Sequence, residues 1–303
     1  MRLSGEQIEL AFGNQRATVA TVGATLRAYV VGDHPVIDGF SADEVCPSGR
    51  GQLLMPWPNR IAKGDYTFSG HHHHVPIDEP SLGHAIHGLV RWAEWQVEHR
   101  DDDVARLRHR LSARPAYPFP LDLSVEYRLS SSGLTVTLGA TNLGATSCPF
   151  GAGAHPYFAF AGTRVDALEL SVQATEWLEV DARSIPVRRR LVEATSLDFR
   201  RPRSIGAALL DHAFTGLRRD AEGLASVRLR HGSDELRVWQ DRAFGFVQVF
   251  TGDTLADRAR RRLGVAVEPT SCAPNAFNSG DGLLVLAPGE SFSGRWGVVA
   301  TSR

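Results

Sequence analysis

Lysine is almost absent from this chain. Lys63 is the only one, so nearly every basic side chain is an arginine. No charge of one sign dominates: 33 basic residues stand against 34 acidic ones, a net charge of −1. A surface so balanced exerts no long-range pull on nucleic acid or on an anionic membrane, and neither is expected as a partner. Cysteine is scarce as well. Cys46, Cys148 and Cys272 lie far apart and form no C-x-x-C, and their odd number argues against a disulfide framework. No apolar run approaches membrane-spanning length, and Met1-Arg2-Leu3-Ser4-Gly5-Glu6 lacks the apolar centre of a signal peptide. A soluble, cytoplasmic protein is expected. The chain has no G-x-S-x-G, no P-loop and no Rossmann glycine pattern, which removes three common enzyme classes. With no repeat of fixed period and no low-complexity linker, residues 1–303 are expected to form one domain.

What the chain has in quantity is alternation with period two. Leu121 to Leu129 alternates cleanly, Ser130-Ser131-Ser132-Gly133 reads as a turn, and Leu134 to Leu138 alternates again, which is a hairpin signature. Arg16 to Val31 contains two further strand-like pieces around Gly23. Others lie at Ala167–Val172, Val227–Leu229, Leu236–Trp239, Phe246–Phe250, Leu283–Leu286 and Arg295–Ala300. Only Ser204–Leu210 and Thr254–Leu263 read as helical, and both are short. Many short strands punctuated by Gly, Pro, Asp and Ser imply an all-β sandwich or barrel. The charge runs, Asp101–Asp103, Arg188–Arg190, Arg200–Arg201 and Arg258 to Arg262, read as solvated turns, loops or faces.

Chemistry concentrates in a few stretches. Gly151-Ala152-Gly153-Ala154-His155-Pro156-Tyr157-Phe158 runs small residues, with room for another molecule, into a histidine held off a helix by the proline. Imidazole titrates near neutrality and can give or take a proton there; Tyr157 and Phe158 can form a wall. Gly264-Val265-Ala266-Val267-Glu268-Pro269-Thr270 places a glutamate at the end of an apolar strand, where Pro269 is expected to end the ladder. Partial desolvation there would raise its pKa and make it a base near neutrality. Met55-Pro56-Trp57-Pro58-Asn59-Arg60 offers rigid hydrogen-bond donors beside the Trp57 indole, a setting that suits a sugar.

Gln248, among apolar neighbours, needs a partner for its amide if buried, whereas Asp211 alone reads as a turn or helix-end residue. His71 to His74 reads as a loop whose neighbouring side chains point opposite ways and cannot wrap a metal. His84-Ala85-Ile86-His87 lacks the glutamate of H-E-x-x-H, so a neutral imidazole that bonds a polar ligand is preferred to a zinc site. No metal is expected. One imidazole and one carboxylate suit a proton shuffle better than glycoside hydrolysis, which uses two carboxylates.

Asn59-Arg60-Ile61, His87-Gly88, His155-Pro156-Tyr157-Phe158, Asp211, Gln248 before Val249-Phe250-Thr251-Gly252, and Val267-Glu268-Pro269-Thr270 occur in the order found in aldose 1-epimerases, the galactose mutarotases. From about Gly23 onward the chain resembles that family. The resemblance implies a large antiparallel β-sandwich (the galactose mutarotase-like supersandwich), no cofactor, and a monosaccharide as the small-molecule partner. It implies that His155 is the general acid and Glu268 the general base of α/β anomer exchange on a hexose. Asn59, Arg60, His87, Asp211 and Gln248 would bind the sugar, with Tyr157 as a further contact. The chain departs from better-known galactose-converting members at Leu89-Val90-Arg91-Trp92, where another glycine is usual. Arg91 is either a structural ion pair or a cation facing an anionic sugar such as a phosphorylated or sulfonated hexose. Two other classes fit a sugar-lined sandwich: a non-catalytic carbohydrate-binding module, and a lyase or hydrolase, which needs a further acidic or tyrosine residue in the cleft.

Overall fold

The structure is a computed structural model that describes residues 2–301. Two large antiparallel sheets dominate it. The first has nine strands in the order Gln96–Arg100, Val104–Leu111, Leu121–Ser130, Gly133–Asn142, Ser291–Thr301, Asp234–Gln240, Ala225–His231, Glu169–Val172 and Arg203–Ser204. The second has eight, in the order Pro186–Leu191, Ala174–Val180, Asp211–Leu217, Phe246–Phe250, Val265–Thr270, Gly153–Ala154 and Leu53–Leu54, with Tyr157–Phe158 also paired to Val265–Thr270. A four-stranded sheet spans Gln7–Phe12 to His34–Pro35.

The predicted hairpin shows how the pattern becomes a layer. Leu121, Leu123, Val125, Tyr127 and Leu129 point into the core, while Asp122, Ser124, Glu126 and Arg128 point out, and Ser130 faces Gly133 across the turn. The central strands of the second sheet read differently because both their faces are covered. Every residue of Val265–Thr270 is buried, as is all of Phe246–Phe250 except Phe250, which is half-buried. Such strands appear in the sequence as unbroken apolar runs, not as alternation. One continuous apolar cluster draws on both sheets, from Val125, Val136 and Trp296 to Phe214, Val249 and Val267. Fully burying an aliphatic side chain of this kind contributes about 1.5–3 kcal/mol. The result is a β-sandwich.

Several local readings differ from the structure. Ser204–Leu210 is not helical but leaves a strand end for turns, and Thr254–Leu263 contains only the 3-10 turn Arg258–Arg260; among the described residues the α-helix is Ala276–Ser279. His71–His74 is a strand, not a loop, because it pairs with Asp65–Phe68 around Gly70. Its imidazoles do alternate: His73 stacks on Tyr66, and His74 Nδ1 lies 2.8 Å from Asp65 Oδ1. Arg258 to Arg262 is not merely a solvated face. Arg262 is buried, where it bonds Asp253, Asp166 and the carbonyls of Gly206 and Ala208, and Arg260 bonds Glu44 and the Gly39 carbonyl.

Pro269 does not end the ladder. Val265–Thr270 runs through it to Thr270. The Val267 N–H donates to Pro156 O, and backbone donors two residues apart on a strand point the same way. The missing N–H of Pro269 therefore faces the side where the chain leaves the sheet between Gly153–Ala154 and Tyr157–Phe158, so no ladder bond is lost. No helix among the described residues is long and apolar enough to cross a membrane.

Candidate active site

The excursion between Ala154 and Tyr157 carries His155. Pro156 is the residue whose carbonyl replaces a regular strand partner, so the chain bows outward there and the imidazole projects beside Val265–Thr270. Glu268 stands on that strand directly opposite Gln248 on the next. His155 Nε2 and Glu268 Oε1 are 3.4 Å apart. Both residues are nearly inaccessible, at 6% and 3% exposure. His155 Nδ1 and Glu268 Oε2 are buried without any partner, which costs free energy unless something else binds there. Burial is the leading cause of opposite shifts in the two groups. It drives the Glu268 carboxyl well above the ordinary carboxylate range, with Asp211 adding to the rise, and drives His155 down to about 3. Both shifts favour the uncharged form of each group, a neutral imidazole beside a protonated carboxyl.

Next to this pair, Gln248 Nε2 donates to Asp211 Oδ1 at 2.6 Å. Asp211 opens the strand Asp211–Leu217, opposite Phe250. It is a strand residue, neither a helix end nor a turn. The amide of Gln248 thus finds its partner within the protein.

The facing wall is made of turns. Asn59 and His87 both have left-handed backbones, at φ 55° and 64°, a region that Asn and His enter more readily than most residues. Each turn ties to the other: His87 N donates to Asn59 O at 2.8 Å, and Asn59 N donates to His87 Nδ1 at 3.3 Å. Burial, then the charges of His155, Arg91 and Arg60, hold His87 well below the usual histidine range. With Nδ1 accepting, the proton of this neutral ring sits on Nε2, which becomes a donor. Arg60 follows on the short strand Arg60–Ala62 and is gripped by Glu79, Nε to Oε2 at 2.7 Å and Nη2 to Oε1 at 2.8 Å. This is a shielded bidentate pair, not a surface one. Arg91 bonds Asp78 through Nη2, while its Nε is buried without a partner.

All of these side chains line one cavity of about 290 Å³: Asn59, Arg60, His87, Arg91, His155, Tyr157, Asp211, Gln248 and Glu268. His155 and Glu268 are neighbours in it, so they do not face each other across it. Ile86 and Phe250 also line it, and so do Glu79, Trp92, Ser48, Gly49 and residues 254–256, which were not singled out in the sequence. Glu79 lies in an acidic loop and Trp92 follows Arg91, but neither carries a pattern that separates it from an ordinary surface residue. Two expectations fail here. Trp57 does not reach the cavity; it is buried edge-on against Phe277, and the indole at the mouth is that of Trp92. The small residues before His155 make room for protein and not for a ligand: a Cβ at Gly151 would meet Cys272 Sγ at 2.5 Å, and one at Gly153 would meet Pro269 O at 3.0 Å. Among the described residues no cluster of His, Cys, Asp and Glu is arranged to hold a metal ion.

Known proteins share this architecture. The Escherichia coli (strain K12) protein YihR, described as uncharacterized, is 36% identical over 292 residues, covering 96% of this chain and 92% of YihR. Human galactose mutarotase is 27% identical over 320 residues, covering 95% of this chain and 91% of its own length. Among solved structures, the aldose epimerase homologue from C. elegans superposes with a TM-score of 0.87 at 19% identity, covering 98% of this chain and 99% of its own. Residues 6–297 match the family described as aldose 1-epimerase. The chain belongs to the aldose 1-epimerase family.

Proposed function

We propose that this protein is a mutarotase that interconverts the α and β anomers of a free hexose by acid–base ring opening and closure. The observation that carries the reading is the pair His155 and Glu268. They lie far apart in sequence yet 3.4 Å apart in space, each with a buried atom left unpartnered, in one polar cavity.

The anomeric hydroxyl and the ring oxygen are bonded to the same carbon, so an acid and a base roughly a hydrogen-bond length apart can reach both. Glu268 takes the proton of the anomeric hydroxyl. His155, protonated, gives its proton to the ring oxygen as the bond from C1 to that oxygen breaks and C1 becomes a carbonyl. Rotation about C1–C2 turns the other face to the hydroxyl, and closure reverses both transfers. One proton stays on the pair throughout. It sits on His155 when the sugar is closed and on Glu268 when it is open. Burial disfavours the charged form of both groups, and so favours the distribution that accompanies the open aldehyde. Arg60 and His87 Nε2–H would hold the ring oxygen or a neighbouring hydroxyl in place for the transfers. Each proton transfer can supply ~10²–10⁴-fold.

Exchange between anomers, followed by NMR or polarimetry across a panel of neutral and anionic hexoses, tests the reading. Acceleration is expected for at least one. If none is accelerated but one binds, and Glu268→Gln leaves its affinity unchanged, the protein is a carbohydrate-binding module instead. Release of shorter products from oligosaccharides would mark a lyase or hydrolase.

Arg91 supports a second reading within the same chemistry. Its buried Nε has no acceptor, although its guanidinium lines the cavity. A phosphate or sulfonate on the hexose would supply one. The ratio of kcat/KM for a hexose 6-phosphate or 6-sulfonate over the parent hexose decides this: Arg91→Met should collapse a high ratio, whereas a ratio near one leaves Arg91 as a structural ion pair with Asp78.

A further inference from the structure

Arg50 is one of the largest fully buried side chains of the protein, with 1% of its surface exposed. A guanidinium is almost never buried to that degree unless paired. The partner is Asp38, whose Oδ2 accepts from Nε at 3.2 Å and from Nη2 at 2.9 Å. A buried ion pair is weak ground for stability, because hydrophobic residues of similar volume often do as well. Neither member lines the cavity. The surroundings of the pair therefore matter more than its strength.

Those surroundings converge on His155. The Arg50 guanidinium lies 4.3 Å from the centroid of the Tyr157 ring. Tyr157 is stacked on His155, with planes 11° apart and centroids 5.1 Å apart. The residues flanking Arg50 hold the same histidine directly. Gly51 N donates to His155 O at 2.8 Å, and His155 N donates to Gln52 O at 3.0 Å. Gly49, at φ 73°, passes under the imidazole so closely that a Cβ there would lie 3.2 Å from His155 Cδ2. Each residue from Gly49 to Gln52 thus touches His155 or its stacking partner.

We propose that Arg50 is a positioning residue for proton transfer at His155: anchored on Asp38, it fixes the Tyr157 ring and, through it, the tilt of the imidazole beside Glu268. The idea rests on the mutarotase reading for its kinetic consequence but not for its structural one. Arg50 does not touch the substrate. Its charge has a second effect, since it is one of the cations that oppose protonation of His155, after burial itself. The groups around that imidazole are Glu268 on the adjoining strand, His87 and Arg91 on the turns opposite, and Arg50 behind Tyr157.

The test compares the full-length protein with Arg50→Lys and with the double variant Arg50→Met/Asp38→Asn, which leaves no orphaned carboxylate. Side-chain NMR of the His155 imidazole reads ring placement without turnover, and anomer exchange gives kcat, KM and the pH profile. In the double variant the imidazole resonances should shift, and kcat should fall ~10²-fold, the loss that a displacement of about 1 Å at a reacting group causes. KM should stay within a few-fold. The acid limb of kcat/KM should move to higher pH, because a histidine relieved of a nearby cation protonates more readily. Arg50→Lys, which keeps the charge without the planar fork, should restore the position of the limb but only part of kcat. Unmoved imidazole resonances, or a wild-type kcat and pH profile in the folded double variant, would overturn the proposal. If the wild-type protein accelerates no hexose, the mutarotase reading fails, and the resonances alone still decide whether Arg50 places the ring.

Discussion

The two walls of the cavity are built on opposite plans. Gln248 and Glu268 stand on adjacent central strands, in register, with His155 on the bowed chain beside them. There the potential charges of His155 and Glu268 are buried and keep unpartnered atoms. The other wall is made of turns, and there each charge has its counter-charge: Arg60 with Glu79, Arg91 with Asp78. A rigid sheet can hold an unsatisfied acid and base in place, because its ladder bonds, not the reacting groups, fix the geometry. A wall of loops needs its own polar contacts to keep donors aimed. The contrast separates groups suited to exchange protons from groups suited to hold a substrate still.

Removing a strand-borne group should produce the largest effect. Glu268→Gln is expected to lower anomer exchange ~10²–10⁴-fold, with sugar binding retained. The thermal midpoint should hold or rise, since an amide carries no titratable charge into a site where the carboxyl lacks a full set of partners. His155→Ala should cost a similar factor, and the double variant little more than either alone, because the two groups act as one unit. Additive losses would break the comparison. The pH profile sharpens it. Burial depresses His155 to about 3 and raises Glu268. With His155 pushed that low, kcat/KM should show no acid-side inflection near ~6.5, the ordinary histidine value. It should fall on the acid side only as a second proton enters His155, and on the basic side as Glu268 loses its proton. A clear acid-side step near the ordinary value would mean that the imidazole titrates independently of Glu268.

On the turn wall, effects should appear first in binding. Glu79→Gln breaks the bidentate grip on Arg60, and should raise KM several-fold while leaving kcat within about twofold, the pattern of lost uniform binding. It should also cost about 2–3 kcal/mol of stability by denaturant titration, less than the ~3–5 for a fully buried pair, because both side chains keep some exposure. A fall in kcat with KM unchanged would show that Arg60 acts in the transition state, and would erase the difference between the walls.

This division also explains what the sequence could show. Strand-borne residues were legible because a polar residue inside an apolar run, Gln248 or Glu268, stands out against its neighbours. His155 was legible through its proline and aromatics. The hairpin Leu121–Asn142 was legible because one face of its sheet is wet. Residues that act through partners distant in sequence were not. Glu79 looks like any loop glutamate until Arg60 lies against it, and Arg50 looks like a surface arginine until Asp38 and Tyr157 enclose it. The run Arg258 to Arg262 misled for the same reason. Its ion pairs reach back to Glu44 and Asp166, and no local pattern encodes them. Trp57 and Trp92 exchanged roles because local rigidity says nothing about which side of a turn faces the cavity.

Trp92 should give the smallest effect and the finest discrimination. It is half exposed at the mouth of the cavity, with the Arg91 guanidinium 5.4 Å from its ring. An indole in that position can stack on the apolar face of a sugar without touching the atoms that react, a contact worth about 0.5–1.5 kcal/mol. Trp92→Ala should therefore raise KM only ~2–10-fold, with kcat and the pH profile unchanged. The substitution also frees Arg91 from the indole, so the neutral and the anionic hexose must be measured side by side. A loss confined to the neutral sugar would make Trp92 a stacking platform. A loss confined to the anionic one would mean that the indole serves to aim the guanidinium, and would make Arg91 and Trp92 a single recognition unit on the wall of turns.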